Sequence, residues 1–190
     1  MILGAEYLAD RGTDLDAAFK LGIEIENPPS VSRIVERLGE DILIGGKLLS
    51  QVATTLIWFP CCNSDGVPAS WIARVLPTPA NDGPKFLTPK GGSGPPFITH
   101  QVWGAAAQTA TPLIITEGPV KQMVLVQAGY MAIGLNGVWC AHVTLPDGKR
   151  DLRVELKVFS LMGRKVYVCF DADGLANPWC AMPRSVSISS

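Results

Sequence analysis

Two acidic signatures carry most of the chemistry available to this 190-residue sequence. The first is Glu117-Gly118, at the end of the apolar run Leu113-Ile114-Ile115-Thr116. The second is Asp171-Ala172-Asp173-Gly174, which closes Val166-Tyr167-Val168-Cys169-Phe170. Taken alone, Glu117 reads as an acid placed near the start of a helix, where it favours the dipole. Asp171 and Asp173 taken alone read as turn formers. Together they are carboxylates at equivalent ends of two apolar strands, and ligands of an open parallel sheet bind beyond the carboxyl ends of its strands. Residues two apart in an extended segment point the same way, so both aspartates can face one ion. Three carboxylates make an oxygen-rich, anionic pocket. Such a pocket suits Mg²⁺, a hard cation that keeps several waters and is completed by substrate phosphates.

That site requires strands and helices in alternation, and the sequence supplies them from residue 111 onward. Strands are expected at Leu113–Thr116, Met131–Leu135 and Val166–Phe170. A helix is expected over Val120–Ala128, closed by Gly129. A second is expected over Asp151–Leu161, with Leu152, Leu156 and Phe159 at helical spacing. Strands this apolar point to a parallel sheet covered on both faces. The carboxylates converge only if the first and third strands are neighbours.

Upstream, residues 5–21 read as helix, with Gly12 dividing it in two. Ser30 is placed to cap a helix running to about Leu38, with Val31, Ile34, Val35 and Leu38 on one face and Gly39 as its stop. Residues 42–51 fit either strand or loop. Residues 54–79 predict a β-hairpin about the turn Asn63-Ser64-Asp65-Gly66. Residues 77–97 hold six prolines and four glycines, the composition of a long irregular segment, although Phe86, Leu87, Phe97 and Ile98 can still pack. A short helix is expected near Gln101–Ala107.

Composition narrows the classes. Hydrophobic residues at 47% and charged residues at 17% support a packed core and argue against a disordered chain. No apolar run reaches the roughly 18 residues of a membrane span. The acidic N-terminus lacks the features of a signal peptide, so a cytoplasmic location with no membrane partner is expected. Five cysteines without a CxxC, beside only His100 and His142, fit no standard zinc site and read as buried or half-buried thiols in a reducing compartment. Net charge is −1 overall, but residues 1–50 carry nine acids against five bases. The remainder therefore holds 11 bases and 8 acids, a mild hint of an anionic ligand on the C-terminal part. Gly91-Gly92-Ser93-Gly94 lacks the Lys-Ser/Thr of a phosphate loop. The five tryptophans read chiefly as core, with base stacking as the alternative.

The order strand, Glu-Gly, helix, glycine-containing strand, strand, Asp-x-Asp resembles the topoisomerase–primase (Toprim) pattern. "ITEGPVK", "AGYMAIGLNGVW" and "GRKVYVCFDAD" resemble the Toprim-like domain of plasmid- and phage-borne replication proteins. "IWFPCCNSDGVPASWIARVLP" and "PKFLTPKG" resemble the hairpin and basic segment that precede this fold in bacterial replicative primases. The likeness spans about residues 40–178. It implies an α/β fold. Residues 1–110 would form an α+β N-terminal lobe with a β-hairpin, and residues 111–190 a Toprim-like parallel-sheet domain, truncated at its C-terminus.

The resemblance also implies roles. Glu117 would act as general acid/base or position metal, and Asp171 and Asp173 would hold Mg²⁺, or Mn²⁺ in its place. Arg74 and Lys85 would contact nucleotide or template phosphate, or else be ordinary surface charges. Lys121, one helical turn past Glu117, would face the same mouth or be solvated. The implied activity is Mg-dependent nucleotidyl transfer by a mobile-element DNA primase, using nucleoside triphosphates on single-stranded DNA, with a helicase domain or protein as partner. The alternatives are a Toprim-type nuclease and a non-catalytic nucleic-acid or nucleotide-binding module.

Overall fold

The computed structural model describes residues 3–77, 84–90, 94–108, 110–160 and 163–170. Asp171 and Asp173, two of the three carboxylates singled out above, lie outside the described residues, as do Trp179 and Cys180.

The chain opens with two short helices, α1 (Leu3–Ala9) and α2 (Leu15–Lys20). Gly12, at φ 75°, separates them as expected, and the Asp14 carboxylate caps α2 by accepting from the Ala17 N–H at 2.8 Å. After β1 (Glu24–Glu26), helix α3 (Val31–Leu38) starts at the expected cap, with Ser30 Oγ accepting from the Arg33 N–H at 3.3 Å. It stops at Gly39 in the left-handed conformation. Its inner face is narrower than the sequence predicts. Ile34 and Leu38 are fully buried, whereas Val31 and Val35 face outward, because only one turn-spaced row can meet the sheet beneath.

The ambiguous stretch 42–51 resolves into a tight hairpin, β2 (Leu43–Ile44) and β3 (Lys47–Leu48), followed by a single turn of helix, α4 (Leu49–Val52). The predicted hairpin is the centre of the first sheet: β4 (Thr55–Cys62) pairs antiparallel with β5 (Pro68–Leu76) around Gly66 at φ 78°. With β6 (Phe86–Leu87), the strand order is β1-β4-β5-β6. Both faces of β4 are covered. Ile57, Phe59 and Cys61 point into one core shared with α1 and α2, and Leu56 and Trp58 point into the other, beneath α3 and α4.

Beyond α5 (His100–Gly104) comes the second sheet. Strands β7 (Leu113–Glu117) and β8 (Met131–Leu135) flank α6 (Pro119–Gln127). Then follow a 3₁₀ turn (Val138–Ala141), the hairpin β9 (His142–Thr144) and β10 (Arg150–Leu152), helix α7 (Val154–Ser160) and β11 (Val166–Cys169). The order is β11-β7-β8, all parallel, so the first and third predicted strands are indeed neighbours, with Thr116 opposite Cys169. Helices α5 and α7 cover one face, through Val102, Trp103, Leu156 and Phe159, while Val120 and Met123 of α6 reach into the core of the first sheet. Phe97 ties the two sheets together. Its backbone exchanges hydrogen bonds with Gly134 at 2.7 and 3.0 Å, and its ring meets Phe59 edge-on, with centroids 5.7 Å apart.

Two expectations need correction here. Helix α7 begins at Val154, not Asp151, because Asp151 and Leu152 pair with Val143 and His142 across a turn at Pro146–Gly148. Leu152 satisfies the helical spacing yet sits on a strand. Only β8 is apolar and buried along its whole length; β11 is exposed, with Val168 at 59%, since among the described residues it is an edge strand.

Candidate active-site cleft

The carboxyl ends of all three parallel strands open into a cleft of about 790 Å³. Thr116 and Glu117 come from the end of β7, Asn136 and Gly137 from just past β8, and Cys169 from the end of β11. The start of α6 adds Gly118 and Lys121. The opposite wall comes from the first half of the chain: Tyr7 from α1, Arg11 from the turn that follows it, and Lys85 and Phe86 from the start of β6.

Local constraints hold Glu117 at this mouth. Gly118 adopts φ 78°, ψ 159°, a region accessible essentially to glycine alone, which turns the chain sharply from strand to helix. Its N–H donates to the Leu135 carbonyl at 2.6 Å, and Pro119 begins the helix where a missing N–H costs nothing. On β8, Gly134 permits the close approach of that turn: a Cβ there would lie 2.6 Å from the Gly118 carbonyl oxygen. Gln122, fully buried, locks the helix onto β8 by donating to the Ala132 carbonyl at 2.9 Å. The Thr116 hydroxyl donates to the Cys169 carbonyl at 3.0 Å and joins the ends of β7 and β11.

Of the residues singled out from sequence, Glu117, Lys85 and Lys121 are brought together on this cleft. Glu117 is half-buried, and its carboxylate forms no hydrogen bond or ion pair among the described residues. A half-exposed, uncommitted carboxylate fits one ligand position for Mg²⁺ or Mn²⁺. Among the described residues no three His, Cys, Asp or Glu side chains gather into a metal cluster. The other two expected ligands follow Phe170 and lie outside the described residues.

Arg74 does not line the wall, nor is it a surface charge. It is 5% exposed, on β5 between Ile57 and Phe86 in the register of the sheet. Its guanidinium carbon lies 4.9 Å from the Tyr7 ring centroid and 5.1 Å from that of Phe86, so it sits behind the two aromatic rings that face the cleft. Burial pushes its pKa down, and the nearby Tyr7 opposes that shift, yet an arginine stays protonated at any working pH.

Tyr7 and Arg11 belong to no motif in the sequence. The one available signal was their i, i+4 spacing, which allows the Arg11 guanidinium to stack on Tyr7 at 3.7 Å. Among the described residues, the cleft thus presents one carboxylate at the strand ends and three cationic side chains, Arg11, Lys85 and Lys121, beside the aromatic residues Tyr7 and Phe86 and the buried Arg74. Such a set suits a polyanion with a planar part, as a nucleotide has.

The thiols depart in part from expectation. Cys61 is buried, and Cys62 and Cys140 are half-buried. In all three, burial raises the pKa. Cys169 is exposed. Of the tryptophans, Trp58 and Trp103 are core residues, donating to Glu26 and to the Cys62 carbonyl, each at 2.7 Å.

Comparison with solved structures gives the same architecture. The RNA polymerase domain of Mycobacterium tuberculosis primase DnaG superposes with a TM-score of 0.57 at 16% identity, over 91% of this chain and 60% of that one. The Aquifex aeolicus primase, comprising zinc-binding and RNA polymerase domains, superposes with a TM-score of 0.52 at 18% identity, over 88% of this chain and 42% of that one. The protein therefore has a primase-like α/β fold, and it spans less than two thirds of either structure's chain. Residues 102–182 match a family described as "Domain of unknown function (DUF3854)". No curated protein matches the chain. Among the described residues, no helix is long and apolar enough to cross a membrane.

Proposed function

We propose that the chain is the Toprim-like catalytic module of a mobile-element DNA primase, joining nucleoside triphosphates into a primer on single-stranded DNA. The observation that carries this reading is the cleft itself. It brings Glu117 at the carboxyl end of a parallel sheet opposite Arg11 and Lys85 from the other half of the chain, within a primase-like fold. Glu117 would orient or deprotonate the attacking hydroxyl, or hold metal with Asp171 and Asp173. Bound there, Mg²⁺ would supply charge neutralisation of the phosphoryl group. Arg11, Lys85 and Lys121 would hold phosphates through charge-assisted hydrogen bonds, while Arg74 keeps Tyr7 and Phe86 in place. A helicase, as a linked domain or separate protein, would be the natural supplier of single-stranded template.

The test is primer synthesis with labelled nucleotides on single-stranded DNA in Mg²⁺ or Mn²⁺. Glu117→Gln and Asp171→Asn should each lower the rate by about 10² or more, the scale of losing a general acid/base or a metal ligand, without changing the melting temperature. Undiminished synthesis in both variants would overturn the reading. Cleavage of labelled DNA without added nucleotides would replace it with the nuclease reading. Salt-sensitive DNA binding without turnover would replace it with the binding-module reading.

A further inference from the structure

Helix α6 carries Lys121 at one end and Gln127 at the other. The Gln127 side chain meets the main chain of Asp14 at two points. Its Oε1 accepts from the Asp14 N–H at 3.0 Å, and its Nε2 donates to the Asp14 carbonyl at 3.1 Å. One side-chain amide thus engages both polar groups of a single residue, as a neighbouring strand would. Asp14 lies just past Arg11 in the α1–α2 turn. That turn is closed by Gly12 at φ 75° and by the Thr13 N–H donating to the Leu8 carbonyl at 3.1 Å. The side chain of Asp14 has a separate task, capping α2. The contact therefore ties the turn that bears Arg11 to the helix that bears Lys121, across the two walls of the cleft.

We propose that Gln127 is a positioning residue. Through the Asp14 main chain it sets the width of the cleft, keeping Arg11 and Lys121 at the spacing that grips a triphosphate. The proposal rests on reading the cleft as a nucleotide site. Gln127 does not itself line the cleft, and its influence runs through Arg11. Placement errors on the ångström scale at such a distance are felt strongly in binding and turnover.

Two measurements on the whole chain test it. Titration with fluorophore-labelled ATP and Mg²⁺ should show Gln127→Ala binding about tenfold more weakly. The double variant Arg11→Ala/Gln127→Ala should bind no more weakly than Arg11→Ala alone, because the effect of Gln127 is exerted through Arg11. Asp14→Ala, which removes the cap but leaves the main-chain groups, should lower the melting temperature and keep wild-type affinity; this separates positioning from stability. Hydrogen exchange without nucleotide should be faster across residues 11–14 in Gln127→Ala. Wild-type affinity with unchanged exchange in Gln127→Ala, while Arg11→Ala weakens ATP binding, overturns the latch and leaves the nucleotide reading standing. If wild-type protein binds no ATP while Gln127→Ala still speeds exchange, the nucleotide reading falls and the latch holds.

Discussion

At the residue scale, the cleft depends on two glycines as much as on its charged groups. Gly134 leaves room for the Gly118 carbonyl, and Gly118 alone among residue types tolerates its backbone angles. Gly134→Ala should destabilise the protein by about 1–3 kcal/mol, because the new methyl meets the Gly118 backbone, which cannot swing aside. A denaturant titration would register this as a lower midpoint with unchanged slope. The thiols offer a second check. Burial raises the pKa of Cys61, so its protonated, inert form persists as pH rises through 7 to 9, whereas Cys169 is accessible. Alkylation followed by peptide mapping should label Cys169 first, and Cys61 only on unfolding. Early labelling of Cys61 would contradict its burial. Glu117-Gly118 was legible from sequence because a carboxylate and a glycine at the end of an apolar run have a local cause. Tyr7 and Arg11 were not, because nothing near them in the chain announces a partner more than a hundred residues away.

At the element scale, local signals decided boundaries wherever the cause was local. Ser30 and Gly39 delimit α3 through a side-chain cap and a left-handed stop. Ser30→Ala should therefore cost about 1 kcal/mol, measurable as a shift in the unfolding midpoint; an unchanged midpoint would mean the cap contributes little beside the packing of Ile34 and Leu38. Helix α7 shows the opposite case. Leu152, Leu156 and Phe159 fit one helical stripe, yet Leu152 is claimed by the β9–β10 hairpin, where it pairs with His142. Periodicity reports which side chains face the core and is silent on which hydrogen-bonding partner the backbone finds. Likewise Val31 and Val35 are apolar at the right spacing but stay exposed while Ile34 and Leu38 are buried.

At the scale of the whole molecule, the two sheets share their packing. Met123 of α6 and Leu8 of α1, both fully buried, belong to one core with Phe59 and Phe97. Met123→Ala should lose about 2–5 kcal/mol, and thermal unfolding followed by both near- and far-ultraviolet circular dichroism should remain one coincident transition. Separate transitions for the two signals would show that the halves fold apart.

The alternation of strand and helix after residue 111, the hairpin of β4 and β5 and the placement of Glu117 at a strand end were determined by the sequence alone, because turn residues, caps and apolar periodicity act within a few positions. Tertiary structure alone decided that β11 lies beside β7, that Arg74 is buried behind Tyr7 and Phe86, and that Arg11 and Lys85 face Glu117. Those outcomes depend on how two sheets pack around a shared core, a balance of burial and pairing summed over residues far apart in the chain.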